Sequence, residues 1–203
     1  MAVSHLLARR SLLARAAFAL PLVALTLAGC GTGAKNDTYD LSAAMADGAG
    51  PAAKRSQILV PEPTALQALN SEQIVVRVSP SEIQYLARSQ WSDKLPRMVQ
   101  SKLVEAYENS GKLGGVGKPG QGLAIDYQVV TDIRAFEIDS SKGSQAVVEI
   151  SAKIINDRNG TVRAQKVFRA AAGGGAADGM VKALDRSFSA VTTQIVDWTL
   201  QSI

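Results

Sequence analysis

Apolar residues alternate with polar ones along several stretches of the chain and recur every three to four residues along others. The first period marks half-buried strands and the second amphipathic helices. Ile74, Val76 and Val78 share one face of Ile74-Val75-Val76-Arg77-Val78, a strand that Pro80 stops. Before it, Gln57-Ile58-Leu59-Val60 is a short apolar run ended by Pro61-Glu62-Pro63, where ladder donors are missing. Ile83 and Tyr85 alternate within Glu82–Arg88, which predicts a brief strand. Trp91, Leu95, Met98, Val99, Leu103, Ala106 and Tyr107 then follow helical spacing, so Trp91–Asn109 is predicted as the first helix. Gly111 supplies its stop, and Pro96 moves its regular part toward Leu95 or breaks off a short first turn.

The second half reads as a meander and a closing helix. Leu123–Ile138 is a long strand with Ile125, Tyr127, Val129, Thr131, Ile133 and Ala135 on one face. Phe136 and Ile138 fall on the other parity, which predicts a bulge or twist near Arg134–Phe136. Gln145–Ile155 and Thr161–Ala170 follow, joined by Asn156-Asp157-Arg158-Asn159-Gly160, a hairpin turn ending in Asn-Gly. From about Asp178 to the end, Met180, Val181, Leu184, Phe188, Val191, Ile195 and Trp198 form one stripe. Lys182, Asp185, Arg186 and Asp197 lie behind it as a solvated face. The order is two or three short strands, a helix, three long strands and a helix. The fold class is α+β: two layers, a mostly antiparallel sheet with two main helices packed on one face.

The first thirty residues follow a different rule. Arg9, Arg10 and Arg15 form a basic start, and Ala16–Gly29 is an uncharged run with Phe18, Leu20, Leu22, Val23, Leu25 and Leu27. The run falls short of the roughly 20 residues that cross a bilayer. Leu27-Ala28-Gly29-Cys30 closes it in the manner of a bacterial lipobox. Met1–Gly29 is therefore expected to be a lipoprotein signal peptide, and Cys30 the lipidated first residue of the working chain. Arg9-Arg10-Ser11-Leu12-Leu13 also has a twin-arginine look, so the export route stays open. Residues 30–54, rich in Gly, Ala, Asp and Ser, read as a lipidated flexible tether in which Tyr39-Asp40-Leu41 is a candidate first strand. Residues 55–203 make one α+β domain.

Charge and chemistry change once that label is set aside. The chain holds 22 basic and 18 acidic residues; three of the basic ones leave with the label, so 19 face 18. No basic excess remains to argue for nucleic acid. His5, the one histidine, leaves too, and Cys30, the one cysteine, takes lipid. Disulfides, Cys/His metal sites and Ser-His or Cys-His nucleophiles are thereby excluded from the expected mature chain. No cofactor is expected beyond the covalent lipid.

Gly111–Gly122, with six glycines and two lysines, invites a phosphate-loop reading. Lys112 stands at the required first glycine and Pro119 where Ser or Thr should follow the lysine, so it reads as a mobile loop. Gly173-Gly174-Gly175 reads as a hinge. Asp126, Asp132 and Glu137 are the carboxylates available for acid–base chemistry, although the first two sit on the polar face of a strand. Trp91 and Tyr107 either line a ligand groove or pack the core, and packing is the default.

Tyr39-x-Leu41, the Ile74–Pro80 strand, Tyr85-Leu86-Ala87, Trp91-x-Asp93-x-Leu95-Pro96, Asp126-Tyr127, Ile133-x-x-Phe136-Glu137 and Trp198 occur in this order behind the lipobox. The set resembles the ABC-type transport auxiliary lipoprotein family, which includes the paraquat-inducible protein C lipoproteins. The resemblance implies a non-enzymatic lipoprotein at the periplasmic face of the outer membrane. It also implies an Mce-domain protein of an ABC lipid transport system as partner, and it is compatible with a homo-oligomer. Gly31 after the cysteine, in place of the Asp that signals inner-membrane retention, agrees with the outer membrane. The Tyr85–Trp91 region is the implied neighbourhood of partner contact. Two other functions stay open: a domain that carries lipid in a groove between helices and sheet, and an envelope enzyme acting on glycan.

Overall fold

The long strand predicted over Leu123–Ile138 is the centre of the molecule, although it begins only at Tyr127, where pairing with the neighbouring strands starts. In the computed structural model, which describes residues 36–44, 50–141 and 143–203, it is β7 (Tyr127–Asp139). The signal peptide Met1–Gly29 and the lipidation site Cys30 lie outside the described residues. Along one edge β7 pairs antiparallel with β8 (Gln145–Asn156), which pairs antiparallel with β9 (Val162–Gly173). This is the predicted meander, with the Asn-Gly turn closed by Gly160 N–H on Asn156 O at 2.9 Å. A register shift between Ile133 and Ala135 supplies the predicted bulge.

The other edge of β7 is tiled by three strands that the chain lays down in order. β2 (Ala53–Leu59) pairs with Tyr127–Gln128, β3 (Thr64–Ala65) with Asp132–Ile133, and β4 (Gln73–Ser79) with Glu137–Asp139, all parallel. Pro61 and Pro63 occupy the step from β2 to β3, where no ladder donor is needed. β4 turns into β5 (Glu82–Trp91), antiparallel to it, and β5 pairs in parallel with β1 (Asp37–Tyr39). The nine strands among the described residues therefore form a mixed sheet, with long antiparallel ladders on one side of β7 and short parallel ones on the other. Parallel neighbours are set by tertiary packing, and strand alternation alone carries no record of them.

Three local expectations change. Glu82–Arg88 extends to Trp91, because Trp91 N–H bonds to Glu72 O at 2.7 Å and the sheet claims the residue. Helix α1 therefore runs Leu95–Ser110, with Pro96 in its first turn and Gly111 at φ +60° as its stop. The glycine-rich segment is not a loop throughout: Leu113–Gly117 is strand β6, parallel to β2. Its glycines serve close approach, since a Cβ on Gly114 would lie 2.4 Å from the Lys54 carbonyl oxygen. Gly173 ends β9, and helix α2 runs Ala177–Ser202.

Both helices bury their stripes on one face of the sheet, which gives the two-layer α+β class. Phe136, on the core face because of the bulge, meets Trp91 edge-on at 5.7 Å and Phe188 at 5.8 Å between ring centres. Trp198 meets Phe168 at 5.4 Å. Tyr107 of α1 and Thr199 of α2, both 0% exposed, share a 2.7 Å hydroxyl hydrogen bond.

Burial pushes the Tyr107 phenol above its ordinary 10.0, with the Thr199 hydrogen bond opposing the shift. The unfolded tyrosine loses its proton near pH 10 while the buried one keeps it. Its contribution is thus complete below pH 10 and declines as pH rises above it. Tyr107→Phe should cost about 1 kcal/mol at neutral pH, the net worth of the hydrogen bond, in urea denaturation. The gap between variant and parent should narrow above pH 10.

Candidate functional site

The segment that leads toward Cys30 is bound to the domain. β1 places Asp37, Thr38 and Tyr39 opposite Ser89, Gln90 and Trp91, and Ser92 N–H donates to Tyr39 O at 2.8 Å. Leu41 and Ala44 behind it are 2% and 0% exposed. Tyr39 Oη donates to Asp178 Oδ1 at 3.1 Å, and Ser42 N–H donates to Asp185 Oδ1 at 2.7 Å. A Cβ on Gly50 would meet Leu200 Cβ at 2.5 Å. These contacts follow α2 in order from its first turn to its last. Asp178 to Leu200 spans about 33 Å of helix. Residues 36–44 and Gly50 thus lie along α2 as a strap. Residues 36–44 and 50–54, expected within a tether, belong to the compact unit that begins at Asn36. Asp185 and Arg186, read as solvated, are both engaged, Arg186 Nη2 donating to Gly173 O at 2.9 Å.

The candidate carboxylates do not converge. Asp126, just ahead of β7, accepts from Gln57 N–H and from Arg158 Nη2, each at 3.0 Å. Asp132 accepts from Thr64 Oγ1 at 2.6 Å, which fastens β3 to β7. Glu137 takes a two-pronged bond from Arg77, Nε to Oε1 at 2.5 Å and Nη2 to Oε2 at 2.8 Å, joining β4 to β7. That bond, its largest influence, raises the affinity of the guanidinium for its proton. At about 3.3 Å per residue, Asp126 and Asp132 stand roughly 20 Å apart along the strand, and Asp132 and Glu137 roughly 16 Å. Paired glycosidase carboxylates stand about 5 to 9.5 Å apart. Each of the three is occupied in holding a strand or a turn. Among the described residues no group of three or more His, Cys, Asp or Glu could hold a metal.

Trp91 and Tyr107 pack the core, at 1% and 0% exposure. With Phe136 and Phe188 they fill the space between helices and sheet where a lipid groove would lie. The open features are elsewhere. A cleft of 470 Å³ beside β3 is lined by Thr64, Ala65, Leu66, Asp132, Ile133 and Arg134, with Leu66 76% exposed. Ile83 and Tyr85 project from the β4–β5 hairpin, and Val162 and Val167 from the outer strand β9. Sequence periodicity missed these because alternation reports which face a side chain takes and not what lies over it.

Residues 39–196 match the family described as the ABC-type transport auxiliary lipoprotein component. The chain belongs to this family. The matched region begins inside the strap, at Tyr39. Protein XCC0632 of Xanthomonas campestris, a solved structure, is 27% identical with a TM-score of 0.76, over 82% of this chain and 95% of that one. PelC of Paraburkholderia phytofirmans, crystallised as a dodecamer, shares the fold at 13% identity and a TM-score of 0.50, over 75% of this chain and 92% of its own. An uncharacterized protein of Bradyrhizobium diazoefficiens, bll6063, is 29% identical over 192 residues. The match covers 87% of this auxiliary lipoprotein, which spans about half (48%) of that relative's length. Among the described residues no helix is long and apolar enough to cross a membrane.

Gly50→Ala tests the strap. The added methyl has to displace Leu200 or lift the strap, and an overpacked site of this kind costs about 1–3 kcal/mol in denaturant melts. Faster amide exchange at Ser42 should accompany it.

Proposed function

We propose that this auxiliary lipoprotein is exported, acylated on Cys30 and held at the periplasmic face of the outer membrane. There it serves as the docking component of an Mce-type ABC lipid transport system, with several copies facing a multimeric partner. The family match across residues 39–196 carries the reading. The strap supports it. Residues held at the first and last turns of α2, together with β1 paired to β5, pass the position of an anchor directly to the folded domain. Anchoring then raises the effective concentration of the domain at its partner without adding a contact. The mechanism is binding: the carboxylates are spent on strand joints, and the interlayer space is packed with aromatic rings.

Mass spectrometry of the native protein should find residues 1–29 removed and Cys30 carrying acyl chains. The tagged full chain should co-purify with an Mce-domain protein from gently solubilised envelopes. An intact leader on an unmodified thiol would remove the anchor from the proposal, and a clean absence of any Mce-domain protein would remove the partner.

A further inference from the structure

The register of β1 fixes where the anchor-bearing end of the chain meets the domain. Asp37 lies opposite Ser89 and Tyr39 opposite Trp91, in parallel, so β1 starts on the side of β5 that leads back to the β4–β5 turn. Six residues lie between Cys30 and Asp37, seven chain steps that form a leash of at most about 25 Å. Ile83 lies opposite Arg77, and Gln90, the partner of Thr38, lies opposite Gln73, so the two stand four β4 positions apart, about 13 Å along the sheet. The hairpin end therefore lies within the distance at which the leash can hold it against a bilayer. Among the described residues the exposed large hydrophobics are Leu66, Ile83, Tyr85, Leu123, Val162 and Val167. Of these, Ile83 and Tyr85 ride on the strand that receives β1. Val162 pairs with Ile155 and through it with Gln128, ten residues from Ile138 along β7. That is about 33 Å from the end of β7 that β4 joins, where the hairpin lies.

The hairpin also has the composition of an interfacial surface. Ile83 and Tyr85, 37% and 43% exposed, share one face of β5, opposite Arg77 and Val75 of β4. Between Leu86 and Ser89 the pairing with β4 is interrupted, and Arg88 takes φ +54°, an uncommon conformation for a residue with a side chain. The interruption leaves Arg88 exposed next to the β1 junction. An aliphatic side chain, a tyrosine and an arginine together suit the boundary between acyl chains and phosphates, where aromatic rings lie at headgroup depth.

We propose that the β5 face of this hairpin that carries Ile83 and Tyr85, with Arg88 exposed beside the β1 junction, rests on the phospholipid surface into which the Cys30 acyl chains insert. The inference depends on the anchor reading above. Two side chains are too little for attachment alone, and they act because the acyl chains already hold the domain near the surface. The contact orients the domain: the hairpin faces the lipid, and the far ends of the long strands, with Leu123 and Val162, face away toward the periplasm.

The test uses the full chain, recovered in lipidated form and reconstituted into phosphatidylethanolamine–phosphatidylglycerol vesicles. An environment-sensitive fluorophore is placed on Ile83→Cys in one preparation and on Val162→Cys in another, both exposed positions, while acylation blocks Cys30. Position 83 should shift to the blue and lose most of its quenching by iodide, and position 162 should stay as in solution. A co-floating, acylated protein whose position 83 remains fully quenched overturns this inference and leaves the anchor standing. So does shielding of position 83 that appears only when an Mce-domain protein is added, which assigns the hairpin to the partner. A protein that does not float and whose Cys30 is unmodified overturns the anchor reading and this inference with it.

Discussion

Phe136 stands between Trp91 and Phe188, with ring centres 5.7 and 5.8 Å away, and it reaches that place because β7 carries one extra residue between Ile133 and Ala135. Without the bulge, strict alternation from Ile133 would turn Phe136 to the outer face. The contact joins three parts that are distant in sequence: the end of β5, the central strand and the middle of α2. Trp91 holds the end of β5 on which β1 pairs, and Phe188 holds the helix along which the strap lies. The end of the sheet that receives β1 and the helix that carries the strap thus meet at one aromatic junction.

The strap changes how the helix is read. A helix packed on a sheet alone buries a single stripe. Here α2 also buries Thr199 against Tyr107 of α1 and Leu200 against Gly50 of the strap, so α1 and the strap cover further parts of its circumference. Asp178 and Asp185 serve as acceptors for the strap in place of solvent. Their carboxylates fall at successive points along the helix, which is why a segment with little apolar content lies in register on it.

The outer face of the sheet is polar but committed. Thr64 with Asp132, Arg77 with Glu137 and Arg169 with Glu149 each tie neighbouring strands across it. The parallel ladders of β2, β3 and β4 are two to three pairs long on β7, and these cross-strand bonds add fixed points to them. The outer strand β9 keeps one edge free of any described partner and carries Arg163, Lys166 and Arg169, charges of the kind that discourage edge pairing.

Periodicity alone determined the three long strands, the bulge on β7, the Asn-Gly hairpin, both helices and the α+β class, because each depends on neighbours within a few residues. The lipobox pattern and the family motifs were equally local. Tertiary structure decided what depends on residues far apart. Trp91 fits a helix by spacing, yet the backbone of Glu72 and the ring of Phe136 place it on a strand. Gly114 reads as a loop residue until the Lys54 carbonyl is brought against it. Asp185 looks solvated until Ser42, 143 residues away, donates to it. A side-chain pattern records which way a residue faces along its own segment; which other segment comes to cover it is set only when the chain has closed on itself.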